Sequence, residues 1–246
     1  LLDRACAAEA LDALFAWIAA APPRAGALLL PGLDRDGPVA ALLAARRTEE
    51  TDCVALDARS RAVLPCGPGA AGADETKEHR RLNRRLAELG RLDFALLDDP
   101  AAVREGVERF LALETAGWKG AAGTALLQDV GAAAFARCAL RMMARRGAAR
   151  VAALTLDGAP VALGLVLVEG ATASFWKIAF DPAFARYSPG VLLTLRLSEA
   201  LLADPAIRFV DSCAIENHPM IDRLWRARAV AVAKRAFYAV TRRKAS

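Results

Sequence analysis

Residues 187–195, YSPGVLLTL, set a serine, a proline and a glycine between a strand-like run and an apolar helical one. Ser188 suits a helix N-cap, and Pro189 suits the first helical position, where its missing N–H costs nothing. Gly190 adds no side chain, so a helix start this bare offers its backbone N–H groups to an anion. Ten residues or so upstream, Lys177 interrupts the apolar run SFWKIAF beside Trp176 and Phe180. A lysine in that company is costly unless paired. It either faces an acceptor cleft or takes an exposed, alternate position of the strand. Asp181, ahead of Pro182, is a functional carboxylate or a turn residue.

Asp211 closes the strand-like IRFVD, at the kind of strand end where α/β proteins gather ligands. Glu216, Asn217 and His218 follow in the loop that opens another helix. His218 has the chemistry of a general base, or else Asn217 or His218 only caps that helix. In GWKG, Trp118 and Lys119 join an aromatic face to a cation. They contact an acceptor, or the ring closes the core and the lysine lies in water. Glu114, a turn upstream, reads as a solvated helix residue. The Tyr187 hydroxyl can act as an acid, or its ring packs beneath the loop. The basic run HRRLNRR, His79 to Arg85, reads as the wet face of a helix, with phosphate, anionic lipid or tRNA contact as the alternative.

These residues need a scaffold, and the composition bounds it. A chain of 246 residues that is 55% hydrophobic and 25% charged is globular, of one large or two small domains. The net charge of +5, with 28 arginines against 5 lysines, suits acidic ligands but is too small to imply DNA. Five scattered cysteines with no C-x-x-C pair, and only two histidines, argue against a disulfide framework or a structural zinc site and for a reducing cytoplasm. No apolar run approaches the roughly 18 residues of a membrane span. The chain opens on Leu1 inside a helical pattern with no initiator methionine, so it reads as trimmed, and any N-terminal targeting signal would be invisible in it.

Hydrophobic periodicity then orders the elements. A helix in RACAAEALDALFAWIAA leads to a strand in GALLLPG, an acidic turn LDRDGP, a helix in VAALLAARR, and strands in TDCVALDA and RAVLPCG. A glycine-rich linker near residues 66–75 precedes the basic helix. From LDFALLD onward the order is strand, two helices (near Pro100–Ala116 and Val130–Arg146), three strands joined by DG and EG turns, the Ser188 helix, the IRFVD strand, a helix near Pro219–Arg228, and strands in AVAVA and RAFYAV. The first 60 or so residues repeat the pattern of the chain's end.

That order is the order of the GNAT acyltransferase fold. FLALETAGWKGAAGTAL, FDPAFARYSPGVLL and IENHPMIDRLW resemble the CelD-like acetyltransferases of cellulose and exopolysaccharide biosynthesis, relatives of the Fem-type transferases. The resemblance implies an α/β (α+β) fold with a mixed central sheet flanked by helices. It implies a tandem arrangement, with a partial GNAT-like unit over 1–75 and a full acetyltransferase domain over 76–246.

It further implies acetyl-CoA as co-substrate, with no metal. The strand before the Ser188 helix should splay from its neighbour and the coenzyme's pyrophosphate should lie on that helix start. Phe180, Arg186, Ser188, Gly190, Val191 and Leu192 would hold the coenzyme; Arg186 and Gly190 remain of the usual loop, and Pro189 replaces one donor. Lys177, Asp211, His218 and Tyr187 would carry the chemistry, and Trp118, Lys119, Glu216 and Asn217 the acceptor. Acyl transfer needs a nucleophile, an oxyanion donor and an acid for the thiolate. No Ser-His-Asp set can be assembled, so direct attack by an amine or hydroxyl of an envelope or polysaccharide-related acceptor is expected. The expected partners are a small molecule or glycan precursor, with weak membrane-surface contact as an option. The rivals are an aminoacyl-tRNA-dependent Fem-type transferase and a non-catalytic binding module.

Overall fold

The computed structural model describes residues 5–20, 27–34, 37–46, 51–66, 73, 75–225 and 231–242. In chain order they form α1 (Ala7–Ala20), β1 (Ala27–Asp34), α2 (Pro38–Ala44), β2 (Thr51–Pro65), α3 (Lys77–Ala87), β3 (Leu92–Leu97), α4 (Pro100–Ala116) and the one-turn α5 (Trp118–Ala121). Then come α6 (Val130–Ala144), β4 (Ala149–Leu156), β5 (Ala159–Glu169), β6 (Thr172–Phe180), α7 (Pro189–Ala203), β7 (Phe209–Asp211), α8 (Pro219–Trp225) and β8 (Ala231–Arg242). Short 3-10 turns cover Leu126–Gln128 and Pro182–Tyr187.

Two expectations about strands are corrected. The two strands read in TDCVALDA and RAVLPCG are the single β2, because the intervening Arg59-Ser60 contains no glycine or proline to break an extended chain. Of the pair read in AVAVA and RAFYAV, the described residues 231–242 form the single β8, again with no glycine or proline between them. Residues 35–36 of the acidic turn, 67–72 and 74 of the glycine-rich stretch, and 226–230 at the end of the last expected helix lie outside the described residues.

The chain divides into two compact units, Leu1–Arg61 with Ala233–Ser246, and Ala62–Val232, whereas the glycine-rich stretch in the sequence suggests a boundary at 75/76. In the first unit β1 pairs antiparallel with β8, from Ala27↔Thr241 to Asp34↔Arg235, with an irregularity between Leu30 and Leu33. Leu11 of α1 and Leu43 of α2 are buried together among Phe15, Leu28, Leu30 and Leu42. Arg46 ties the two helices by donating to Asp12 at 2.6 Å and to the Ala8 carbonyl at 2.8 Å.

The second unit is a six-stranded mixed sheet in the order β2-β7-β6-β5-β4-β3, in which only β6 and β7 are parallel. Side chains alternate across a strand, so a central strand with helices on both faces must be apolar throughout. β5 meets this demand from Val161 to Val168: Leu163 and Leu165 pack with Val107 and Phe110 of α4 and Leu140 of α6, while Ala162 and Val166 face Leu193 and Leu197 of α7. Trp225 of α8 completes the second layer, and its indole N–H donates to Ser198 Oγ at 3.2 Å. Burying that ring alone is worth about 3 kcal/mol of transfer free energy.

Candidate functional site

The cleft exists because two neighbouring strands part. β6 and β7 pair from Thr172↔Phe209 to Ser174↔Asp211; there β7 ends, while β6 runs on to Phe180. A β-bulge adds to the divergence: Leu165 pairs with Lys177 and Val166 with Phe175, so Trp176 is the extra residue. A bulge re-aims the side chains around it. Phe175 is buried in the core, and Lys177 lines the cleft. The opening is about 690 Å³, bounded by Phe175–Phe180 of β6, Ser212–Ile215 after β7, the start of α7, and Glu114, Trp118 and Lys119.

Glu114 organises its charged side. It is 2% exposed, which corrects the reading of a solvated helix residue. The signal was present in the sequence: Val103, Val107, Phe110, Leu111 and Glu114 fall on one helical stripe, the buried face of α4. Its Oε1 accepts from Lys119 Nζ at 2.9 Å and from Lys177 Nζ at 3.4 Å, and its Oε2 accepts from the Leu126 N–H at 2.9 Å. Burial alone would push this carboxyl up; the Leu126 N–H, then Lys119, then Lys177 outweigh it and hold the carboxyl below its ordinary value. Lys119 also donates to the Ile178 carbonyl at 3.3 Å, so it is not simply in water as one reading had it. Gly120 makes this turn possible, because a Cβ there would overlap the Thr115 carbonyl.

The start of α7 differs from expectation in one respect. Ser188 is left-handed, at φ 52° and ψ 51°, and its hydroxyl caps nothing. Its carbonyl instead accepts from Val191 at 2.9 Å and Leu192 at 3.2 Å, and its own N–H donates to Ala185 at 3.0 Å. Of the amides expected to hold an anion, only that of Gly190 has no acceptor among the described residues. Pro189 occupies the first helical position as read.

The remaining expected residues divide. Phe180, Ser188, Gly190 and Val191 line the cleft with Lys177, Trp118, Lys119 and His218. Leu192 is buried in the core. Tyr187, 5% exposed, packs in that core beneath Arg186, whose guanidinium lies 4.7 Å from the ring centre. Arg186 is exposed and does not line the cleft. Asp211 is 3% exposed and its carboxylate accepts from the Cys213 N–H at 2.9 Å, shaping the turn that lines the cleft. Asp181 caps the turn after it, accepting from the Ala183 N–H. His218 both lines the cleft and caps α8, its Nδ1 accepting from the Ile221 N–H at 3.3 Å. Glu216 and Asn217 are exposed and lie outside the lining.

Left-handed backbone gathers here: of four such non-glycine residues among those described, Ser188 and Cys213 line the cleft and Asn217 adjoins His218. Conformations of this kind persist where the surroundings enforce them, often at functional sites. The basic helix α3 makes a separate groove of about 650 Å³ with Arg196 of α7, lined by Glu75, Lys77, Arg80, Asn83 and Arg84. Among the described residues no cluster of His, Cys, Asp and Glu is placed to hold a metal, and no helix is long and apolar enough to cross a membrane.

No curated protein matches the sequence. Solved structures do share the fold. A conserved protein of unknown function from Bacteroides thetaiotaomicron is 13% identical over 96% of this chain and 75% of its own, with a TM-score of 0.57. The C-terminal domain of a putative lysylphosphatidylglycerol synthetase from Agrobacterium fabrum is 13% identical over 93% and 72%, TM-score 0.57. FemX is 13% identical over 94% and 76%, TM-score 0.53. Residues 73–218, more than half of the sequence and the part that builds most of this cleft, match the family of acetyltransferase (GNAT) domains, and the protein belongs to that family.

Proposed function

We propose that the protein moves an acetyl or related acyl group from acyl-CoA to an amine or hydroxyl of a cell-envelope or polysaccharide-related acceptor, in the cytoplasm. The observation that carries the reading is the parting of β6 from β7 directly beside the start of α7. A pyrophosphate on the Gly190 N–H and the positive end of α7 would send the pantetheine arm along the open edge of β6. The thioester carbonyl then lies toward Lys177 and His218. With Nδ1 accepting from Ile221, a neutral His218 ring carries its proton on Nε2 and acts as a donor.

The acceptor's nitrogen or oxygen attacks the thioester carbon, its bond to carbon forms, and the carbon–sulfur bond breaks. The acceptor's proton ends on the departing thiolate. Lys177 and His218 stabilise the oxyanion in between. Asp211 positions the Cys213 turn, and Tyr187 supports the floor from the core. Trp118 and Lys119 meet the acceptor at the mouth. Within the family we place the chain with the CelD-like members on its GWKG and YSPG motifs, and read 1–75 as a partial second unit of the same kind.

Calorimetric titration with acetyl-CoA tests the donor. A Cβ at Gly190 would meet Ile178 and Phe180 at 3.4 and 3.5 Å, an ordinary contact, so Gly190→Ala should bind nearly as the parent does. Gly190→Glu, with a carboxylate against the pyrophosphate, should bind at least about tenfold more weakly. No binding by the parent protein would sink the acyl-CoA reading. The groove of Lys77, Arg80, Arg84 and Arg196 favours one alternative, an aminoacyl-tRNA donor, whose binding would fall steeply with salt.

A further inference from the structure

Among the described residues the cleft is lined by one carboxylate and two ammonium groups: Glu114, Lys119 and Lys177. Lys119 takes the carboxylate at 2.9 Å and spends a second donor on the Ile178 carbonyl. The other Glu114 oxygen is filled by the Leu126 N–H. Lys177 reaches the shared oxygen only at 3.4 Å, and no other hydrogen-bond acceptor meets it among the described residues. An ammonium has three donors to place. Its side chain is 24% exposed, and the Trp176 ring centre stands 6.0 Å away. The cleft lining therefore holds one positive charge more than negative, and Lys177, with a single long contact to Glu114, has two donors left for a ligand.

We propose that the acceptor is an anion whose carboxylate or phosphate completes the pairing of Lys177, so that charge as well as shape selects it. This rests on the acyltransferase reading of the same cleft. The bulge at Trp176 fixes where the ammonium stands, and the short α5 holds Lys119 on Glu114 and the Ile178 carbonyl, leaving it one donor against the two of Lys177. The bound anion lies across from the start of α7, with its nucleophile toward the thioester.

The test titrates the parent, Lys177→Met and Lys177→Arg proteins with glucuronate, glucose 6-phosphate and glucose. Millimolar coenzyme A is present to occupy the helix start, and binding is followed by NMR shifts. An acidic sugar should bind about tenfold or more tightly than glucose, and the better of the two acids names the group. Lys177→Met should abolish that preference and Lys177→Arg should retain it. Equal binding of all three sugars, a preference that survives Lys177→Met, or binding of none overturns the proposal. If coenzyme A shifts no resonance while the acid preference still depends on Lys177, the acyl-CoA reading fails and the anion site stands. If coenzyme A binds with no acid preference, the reverse holds.

Discussion

Glu114 of α4 and Lys177 of β6 are 63 positions apart in the chain, and their charged ends lie 3.4 Å apart at the wall of the cleft. The helix supplies the carboxylate from its buried face and the strand supplies the ammonium one residue after a bulge. Lys119, five residues on, holds the nearer place on the carboxylate, and Lys177 adds a second ammonium from the strand.

Removing the Glu114 charge should therefore cost more than removing a surface acid. Glu114→Gln leaves Lys119 and Lys177 facing a neutral amide, and loss of one partner of a buried pair costs about 3 kcal/mol. The Glu114 carboxyl lies below its ordinary value in the folded protein, so its contribution is complete above the unfolded value of about 4.3 and fades as pH falls through the lower folded value. Urea unfolding at pH 7 and at successively lower pH should show the gap between parent and variant closing as pH drops. A gap that stays constant into strong acid would exclude the charge as its cause.

The order of elements from β3 to β7 was legible because its signals are local: Asp99 and Asp129 cap α4 and α6 by accepting from amides two or three residues on, and DG and EG turns join β4, β5 and β6. The helix start at Pro189 and the lysine in SFWKIAF were legible for the same local reason. What sequence could not supply was pairing across long separations. The contact of Glu114 with Lys177, the bulge at Trp176 and the pairing of β2 with β7 depend on partners far away in the chain. Ser188 misled because its residue type favours a side-chain cap, whereas the turn Pro182–Tyr187 delivers it in a left-handed conformation.

Gly120→Ala isolates the role of α5. The added methyl meets the Thr115 carbonyl, so the one-turn helix must shift, and with it Lys119. Overpacking of this kind costs about 1–3 kcal/mol. Thermal unfolding should show the loss. Gly123→Ala makes a useful comparison, because its cost comes from a left-handed backbone at φ 71° and not from any clash.

Tyr187 separates a chemical hydroxyl from a structural ring. The ring is 5% exposed in the core, so Tyr187→Ala should lose about 3–5 kcal/mol, as large-to-small aromatic changes do. Tyr187→Phe keeps the packing and the face that Arg186 covers, and should stay within about 1 kcal/mol of the parent. Acetyl-CoA turnover by Tyr187→Phe decides between the roles: a rate near the parent's confines Tyr187 to support, whereas a large fall with unchanged stability restores it as an acid.

His218 makes the same distinction at the other wall. Its Nδ1 caps α8, so His218→Ala should cost about 1 kcal/mol of stability. His218→Asn offers a carbonyl oxygen in the same place and should recover most of that. The Nε2 donor is lost in both variants. If His218 donates to the oxyanion, kcat falls about equally in the two while only His218→Ala is less stable; if it is merely a cap, turnover follows stability and His218→Asn works like the parent. Steady-state release of coenzyme A thiol beside urea unfolding reads both quantities on the same three proteins.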